Sequence, residues 1–262
     1  MSSDLRECWL FDLDGVVWLD GRPIPGAADA IARLVSTGRR AAYFTNNSFP
    51  RRADHLEKLR RFGLAPKDAD LLSSAEAAAQ LCDPGERALV LGGPGIVEAL
   101  RDRGVDARDA SADVGDAVDV VLVGIDPGLD AERLARATRA VARGARLVGT
   151  NDDPTFPTPA GPLPGGGAIL AAVAYATGVT PVVAGKPYAP SVELTRRRLG
   201  TPAVVVGDRP STDGALARGL GSRFALVHSG VTPAHHGPLD PAPDVEAADV
   251  ADLVELLLAG RG

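Results

Sequence analysis

The chain has 262 residues, 45% of them hydrophobic but only 4% aromatic, with 30 glycines and 21 prolines. That composition suits a turn-rich α/β protein with a core of Ala, Val and Leu, in one large domain or two smaller ones, and excludes a disordered chain. A formal charge of −6 without any long block of like charges argues against a nucleic-acid polymer or an anionic membrane as partner, so an anionic ligand has to be met by a local site.

Lysine is scarce: Lys58, Lys67 and Lys186 are the only lysines among 28 basic residues, which marks each as a place where a compact ammonium can matter. Cys8 and Cys82 have no Cys-x-x-Cys pair or Cys/His cluster around them, so neither a zinc site nor a disulfide framework is expected. The N-terminal MSSDLRECWL has no basic region leading into a long apolar segment, and no transmembrane-length apolar run occurs. The expected compartment is the cytoplasm.

In chain order, residues 8–13 read as a buried strand, and Ile31, Leu34 and Val35 with Gly38 behind them predict a helix over 27–37. A strand at 40–45 follows, then a helix at 51–62 with Leu56, Leu59 and Phe62 on one side. Further strands are predicted at 89–93, 118–125, 145–150, 202–208 and 223–230, separated by helical patterns. Strands alternating with helices imply a mostly parallel sheet covered on both faces. Pro/Gly-rich stretches at 82–85 and 178–187 bound an inserted unit, 83–183, between flanking parts 1–82 and 184–262. No repeat, coiled coil or low-complexity tract is evident.

The stretch WLFDLDGVVW (9–18) places two acids, Asp12 and Asp14, in an apolar run. Alternation puts both on one face, where like charges repel, so the pair is explained by a bound cation, a catalytic division of labour or exposure at a strand end. In an open parallel sheet, ligands bind beyond the carboxyl ends of the strands. Each polar cluster falls there: Asp12 and Asp14, then Thr45-Asn46-Asn47-Ser48, then Asp208 with Asp213 behind it, and Lys186 between Gly185 and Pro187 ahead of a helix starting near 189. Several carboxylates converging on one rim require a hard dication such as magnesium. A hydroxyl, free backbone N–H groups and a lysine beside it suit a tetrahedral anion, phosphate. Asp12, ionised at neutral pH, can attack phosphorus, and Asp14 can protonate the leaving oxygen and later activate water. Gly15 permits a sharp turn after the acids.

This constellation resembles the haloacid dehalogenase superfamily of phosphatases, whose first signature is DxDG. The similarity extends in order over nearly the whole chain, through FDLDGVVW (11–18), GRPIPGA (21–27), TNNS (45–48), GTNDDPTFPTP (149–159), GKP (185–187) and GDRPSTD (207–213). Together these look like the capped subgroup of 4-nitrophenylphosphatases, NagD-type nucleotidases, and phosphoglycolate, glycerol-phosphate and pyridoxal-phosphate phosphatases. The resemblance implies a Rossmann-like α/β core (1–82 and 184–262) and an inserted α/β cap (83–183) that supplies the leaving-group pocket. It makes Asp12 the nucleophile and a magnesium ligand, Asp14 the acid/base and a ligand through its backbone carbonyl, and Asp208 a further ligand. Thr45 and the Asn46 backbone hold the phosphoryl oxygens, Lys186 neutralises nucleophile and phosphate, and Asp213 acts through water or by orienting Lys186. The last motif departs from the pattern, with Ser211 where an acid is usual, Gly214 where a branched residue is common, and Pro210 ahead of both.

The implied activity is hydrolysis of a small phosphorylated metabolite: glycerol phosphate, phosphoglycolate, a sugar phosphate, a nucleotide or 4-nitrophenyl phosphate. A phosphomutase and a non-catalytic phospho-ligand sensor are the alternatives, and a homo-oligomer is compatible with the subgroup. Elsewhere, LGGPG (91–95) hints at a dinucleotide loop, but Pro94 breaks the spacing and a turn before a helix is the favoured reading. PGGG (164–167) reads as a helix start. His235 and His236 read as solvent-exposed, and Trp9, Phe11 and Trp18 as packing residues.

Overall fold

The computed structural model describes residues 7–112, 117–156, 161 and 163–259. The chain divides into two compact units, one formed by 1–45, 55–72 and 192–262, the other by 46–54 and 73–191. The segment 83–183 lies inside the second unit, which also takes in 46–54, 73–82 and 184–191.

The first unit is built on a six-stranded sheet in the order Val245–Ala247, Arg223–Val227, Val204–Gly207, Cys8–Phe11, Arg40–Thr45, Leu71–Ser73. The four pairings from Val245–Ala247 to Arg40–Thr45 are parallel. Cys8–Phe11 and Val204–Gly207 are buried along their whole length, as expected of inner parallel strands covered on both faces. The first strand stops two residues earlier than its apolar pattern suggests. Asp12 still donates its N–H to the Val206 carbonyl (2.9 Å), but the chain then folds back, with the Val17 and Trp18 N–H groups on the Leu13 carbonyl at 2.9 and 3.1 Å.

Helix Ala27–Ser36 buries Ala27, Ala30, Ile31 and Leu34, the one-face spacing of 3.6 residues per turn, and packs beside Val250–Ala259. Both belong to an apolar cluster with Phe11, Val206 and Leu253, where each fully buried Leu or Ile contributes roughly 1.5–3 kcal/mol.

The second unit has its own five-stranded sheet, Val182–Val183, Arg146–Gly149, Val120–Val123, Arg87–Leu91, Asp106–Asp109, parallel throughout. Helices Ala131–Ala142 and Gly166–Thr177 share its core with Leu89, Val121 and Leu147. Asp130 caps the first of these by accepting the Arg133 N–H (2.7 Å). The Arg133 guanidinium forks between Asp109 (2.5 Å) and Asp126 (2.6 Å). Burial pushes the Asp109 carboxyl up, but hydrogen bonds from Arg133 and Ser111 outweigh it and bring the pKa down to about 2.

The LGGPG run opens helix Pro94–Arg101, as a turn. Its glycines are explained by a close backbone approach: a Cβ on Gly93 would stand 2.4 Å from Phe49 Cα, and one on Gly95 2.0 Å from the Pro50 carbonyl. The Gly95 N–H donates to the Phe49 carbonyl (3.0 Å), so residues 49–50 occupy the place a dinucleotide phosphate would need. Gly166–Thr177 begins just after Gly165, as PGGG implies. Cys8 and Cys82 are free and buried, and burial pushes both thiols up to about 11, so they stay protonated and inert. Among the described residues no helix is long and apolar enough to cross a membrane.

Replacing Gly95 by Ala is expected to destabilise the second unit by about 1–3 kcal/mol through overpacking. Denaturant unfolding checks this, and an unchanged midpoint would mean that the 49–50 backbone yields freely.

Candidate active site

After Cys8–Phe11 the chain builds outward through Arg40–Thr45 and Leu71–Ser73, then returns on the other flank through Val204–Gly207. The strand order therefore reverses beside the first strand, and a crevice is expected there beyond the carboxyl ends. Asp12 and Asp208 each stand one residue past these adjacent strands. Carboxylate oxygens of Asp12, Asp208 and Asp213 all lie within 4.8 Å of one another. Asp208 and Asp213 are buried, whereas Asp12 is half-buried and meets solvent.

Local backbone holds these acids. Asp213 sits in a single wide helical turn, Pro210–Gly214, and its carboxylate accepts the Arg209 N–H (3.2 Å). Asp208 Oδ2 accepts the Val231 N–H (2.7 Å), and the Ser229 hydroxyl donates to the Gly15 carbonyl (2.7 Å). Gly15 has φ 85°, and a Cβ there would stand 2.3 Å from Asp208 Oδ2; the residue serves both the turn and the close approach. Gly214 faces Phe224 and Pro241, with 2.9 Å left for a Cβ, which accounts for the missing branched residue.

Asp14 is not one of the three clustered acids. Its Oδ1 accepts the indole N–H of Trp18 (2.8 Å). Trp18 is fully buried, as its reading as a packing residue implies, yet it also orients an acid. The signal for this was the spacing of four residues across a glycine turn. The Lys58 ammonium lies 4.0 Å from the Trp18 ring centroid, a cation–π contact. Burial lowers the Lys58 pKa, the charge of Asp14 raises it, and Arg61 lowers it, for a net decrease.

Thr45 ends the strand next to Cys8–Phe11 and is buried. In the second unit, Asn46 brackets the Lys186 peptide: its Oδ1 accepts the Lys186 N–H (2.9 Å) and its Nδ2 donates to the Lys186 carbonyl (3.2 Å). The same Nδ2 also donates to Asp153 (3.3 Å), and the Asn46 carbonyl accepts from Ser74 and Asn151, each at 2.8 Å. Lys186 is only 2% exposed. Asn151 and Asp153, which lie in the GTNDDPTFPTP stretch and to which the resemblance assigns no role, fix Asn46. Residues 157–159 of that motif lie outside the described residues.

A haloacid dehalogenase-like hydrolase model matches residues 9–106, and a second HAD-hydrolase-like model matches 183–253. The chain is 36% identical over 234 residues to an acid sugar phosphatase of Staphylococcus saprophyticus, covering 86% of this chain and 88% of the relative. The chain belongs to the haloacid dehalogenase superfamily. Among solved structures of haloacid dehalogenase-type phosphatases, it superposes on p-nitrophenyl phosphatase from Archaeoglobus fulgidus with a TM-score of 0.86, 31% identity, and 96% and 99% of the two chains covered. It superposes on glycerol phosphate phosphatase from Mycobacterium tuberculosis in complex with magnesium with a TM-score of 0.85, 31% identity, and 95% and 77% covered.

Gly15→Ala is expected to lower the thermal midpoint by several degrees, because the residue is held at positive φ and the new Cβ displaces Asp208. An unchanged midpoint would show that the close approach is immaterial.

Proposed function

We propose that the chain is a phosphoric monoester hydrolase that acts on a small organic phosphate with a divalent cation, and that its nucleophile is Asp12. The observation that carries this reading is the convergence of the Asp12, Asp208 and Asp213 carboxylates within 4.8 Å at the strand-order reversal. An all-oxygen donor set of three acids, two of them buried, fits magnesium. Asp12, Asp208 and the backbone carbonyl of Asp14 are the groups that would hold it, and the proximity of the Asp213 carboxylate supports a place for that acid beside the ion, directly or through water. When bound, the cation offsets negative charge on the phosphoryl oxygens.

A carboxylate oxygen of Asp12 attacks phosphorus, the ester P–O bond breaks, and Asp14 gives its proton to the departing alkoxide. The product of that step is an aspartyl phosphate and a free alcohol. Asp14, now ionised, takes a proton from water as the water oxygen attacks phosphorus; the acyl phosphate P–O bond breaks and inorganic phosphate leaves. Trp18 holds Asp14 in the orientation both steps need. The order of motifs assigns the Thr45 hydroxyl, the Asn46 backbone N–H and Lys186 to the phosphoryl oxygens. The relatives are named for sugar phosphate, glycerol phosphate and nitrophenyl phosphate, which supports a small monoester as substrate, and the 83–183 segment is read as the cap that selects it.

Asp12→Asn is expected to abolish magnesium-dependent phosphate release from 4-nitrophenyl phosphate, and near-native turnover in that variant would refute the assignment. Asp14→Asn should slow turnover by about 10²–10⁴-fold, the usual worth of a general acid–base. Trp18→Phe keeps the ring but loses the N–H, so kcat should fall several-fold with KM little changed. Multiple turnovers by the native chain exclude the sensor reading, and phosphate release outpacing phosphosugar isomerisation excludes the mutase.

A further inference from the structure

Three of the four histidines of the chain fall in or beside the loop between strands Arg223–Val227 and Val245–Ala247. His236 is half-buried, not solvent-exposed as the loop's composition suggests, while His235 is exposed. His228 Nε2 and His236 Nε2 each lie 3.1 Å from the same oxygen, Oε2 of Glu246 on the edge strand. The two ring centroids are 5.5 Å apart. The opposite nitrogens face backbone carbonyls, His228 Nδ1 that of Thr232 (3.3 Å) and His236 Nδ1 that of Gly237 (2.7 Å).

A carbonyl oxygen can only accept, so each Nδ1 carries a proton, and in a neutral imidazole the Nε2 then holds a lone pair. Two nitrogen lone pairs and a carboxylate oxygen thus point into one space, where their ligand atoms lie within 4.8 Å of one another. Acceptors do not hold acceptors together. Protonating one ring, as the Gly237 and Glu246 contacts favour for His236, pairs that ring with the carboxylate but leaves the other Nε2 facing the same oxygen with no proton between them. Protonating both sets two imidazolium ions side by side against one carboxylate, whereas one dication answers all three groups.

We propose that His228 Nε2, His236 Nε2 and the Glu246 carboxylate bind a zinc-class dication, with water completing the coordination. Imidazoles with one carboxylate favour zinc and its transition-metal neighbours over magnesium. A backbone carbonyl on the far ring nitrogen is the usual outer support of a metal-bound histidine. The side chains of His228 and His236 are only 10% and 19% exposed, so the rings are already held in place. The cysteine spacing gave no sign of such a site, because its ligands come from a loop and an edge strand. The ion would staple residues 228–236 to the sheet edge. Ser229 and Val231, which support Gly15 and Asp208, lie within that staple.

The test uses the full chain, stripped with chelator and then kept in saturating magnesium so that the acidic cluster is occupied. Zinc chloride is titrated calorimetrically and against a chromogenic chelator. The expected result is one zinc per chain at micromolar or tighter affinity, with a raised thermal midpoint. His236→Gln and Glu246→Gln should each weaken binding at least about tenfold, with native circular dichroism and magnesium-dependent turnover retained. No zinc uptake by the native chain, or zinc affinity in both variants equal to that of the native chain, would overturn the proposal. The readout is binding, so it stands or falls independently of the phosphatase reading.

Discussion

Holding the carboxylates of Asp12, Asp208 and Asp213 within 4.8 Å of one another costs roughly 3 kcal/mol per pair at an effective dielectric of about 20. Much of the first unit is arranged around that repulsion. Two inner strands of purely apolar residues bring the acids to adjacent ends, and the core behind them fixes where those ends fall. Backbone N–H groups of Arg209 and Val231 meet two of the carboxylates, and glycine at position 15 removes the side chain that would push Asp208 away. On the proposed reading, a divalent cation would complete what the amides begin.

The alternation of strands and helices, the parallel sheet and the rim positions of Asp12 and Asp208 were legible because each rests on a local pattern: an apolar run, an amphipathic stretch, an acid just after a strand. Other features were not, because they depend on partners distant in sequence. The motif places Asp213 on the same rim behind Asp208, but the closeness of its carboxylate to Asp12 requires the wide turn at 210–214, which no periodicity announces. Gly93 and Gly95 look like a phosphate loop in one dimension and prove to be the seat of residues 49–50 in three. Asn46 is fixed by Asn151, Asp153 and Lys186, between 105 and 140 positions away. The two-unit division crosses the chain at several points where composition showed only two.

Two arginines show what the planar guanidinium offers: Arg133 forks between the carboxylates of Asp109 and Asp126, and Arg40 sets its Nε and Nη2 on one oxygen of Asp70, geometry a lysine fills poorly. Of the three lysines, Lys186 is buried and Lys58 lies over the Trp18 ring, while Lys67 is exposed. A scarce residue type thus marks two of the polar centres and one ordinary surface position.

Both sheets end in brief outer strands: three residues each at Val245–Ala247 and Leu71–Ser73, two at Val182–Val183, and at Asp106–Asp109 four residues of which three are charged. A margin this short or this charged offers an incoming chain few unpaired peptide groups to zip onto. The wholly apolar strands that end at the candidate acids, Cys8–Phe11 and Val204–Gly207, are kept inside, so the sheets present little to edge-to-edge addition into fibrils.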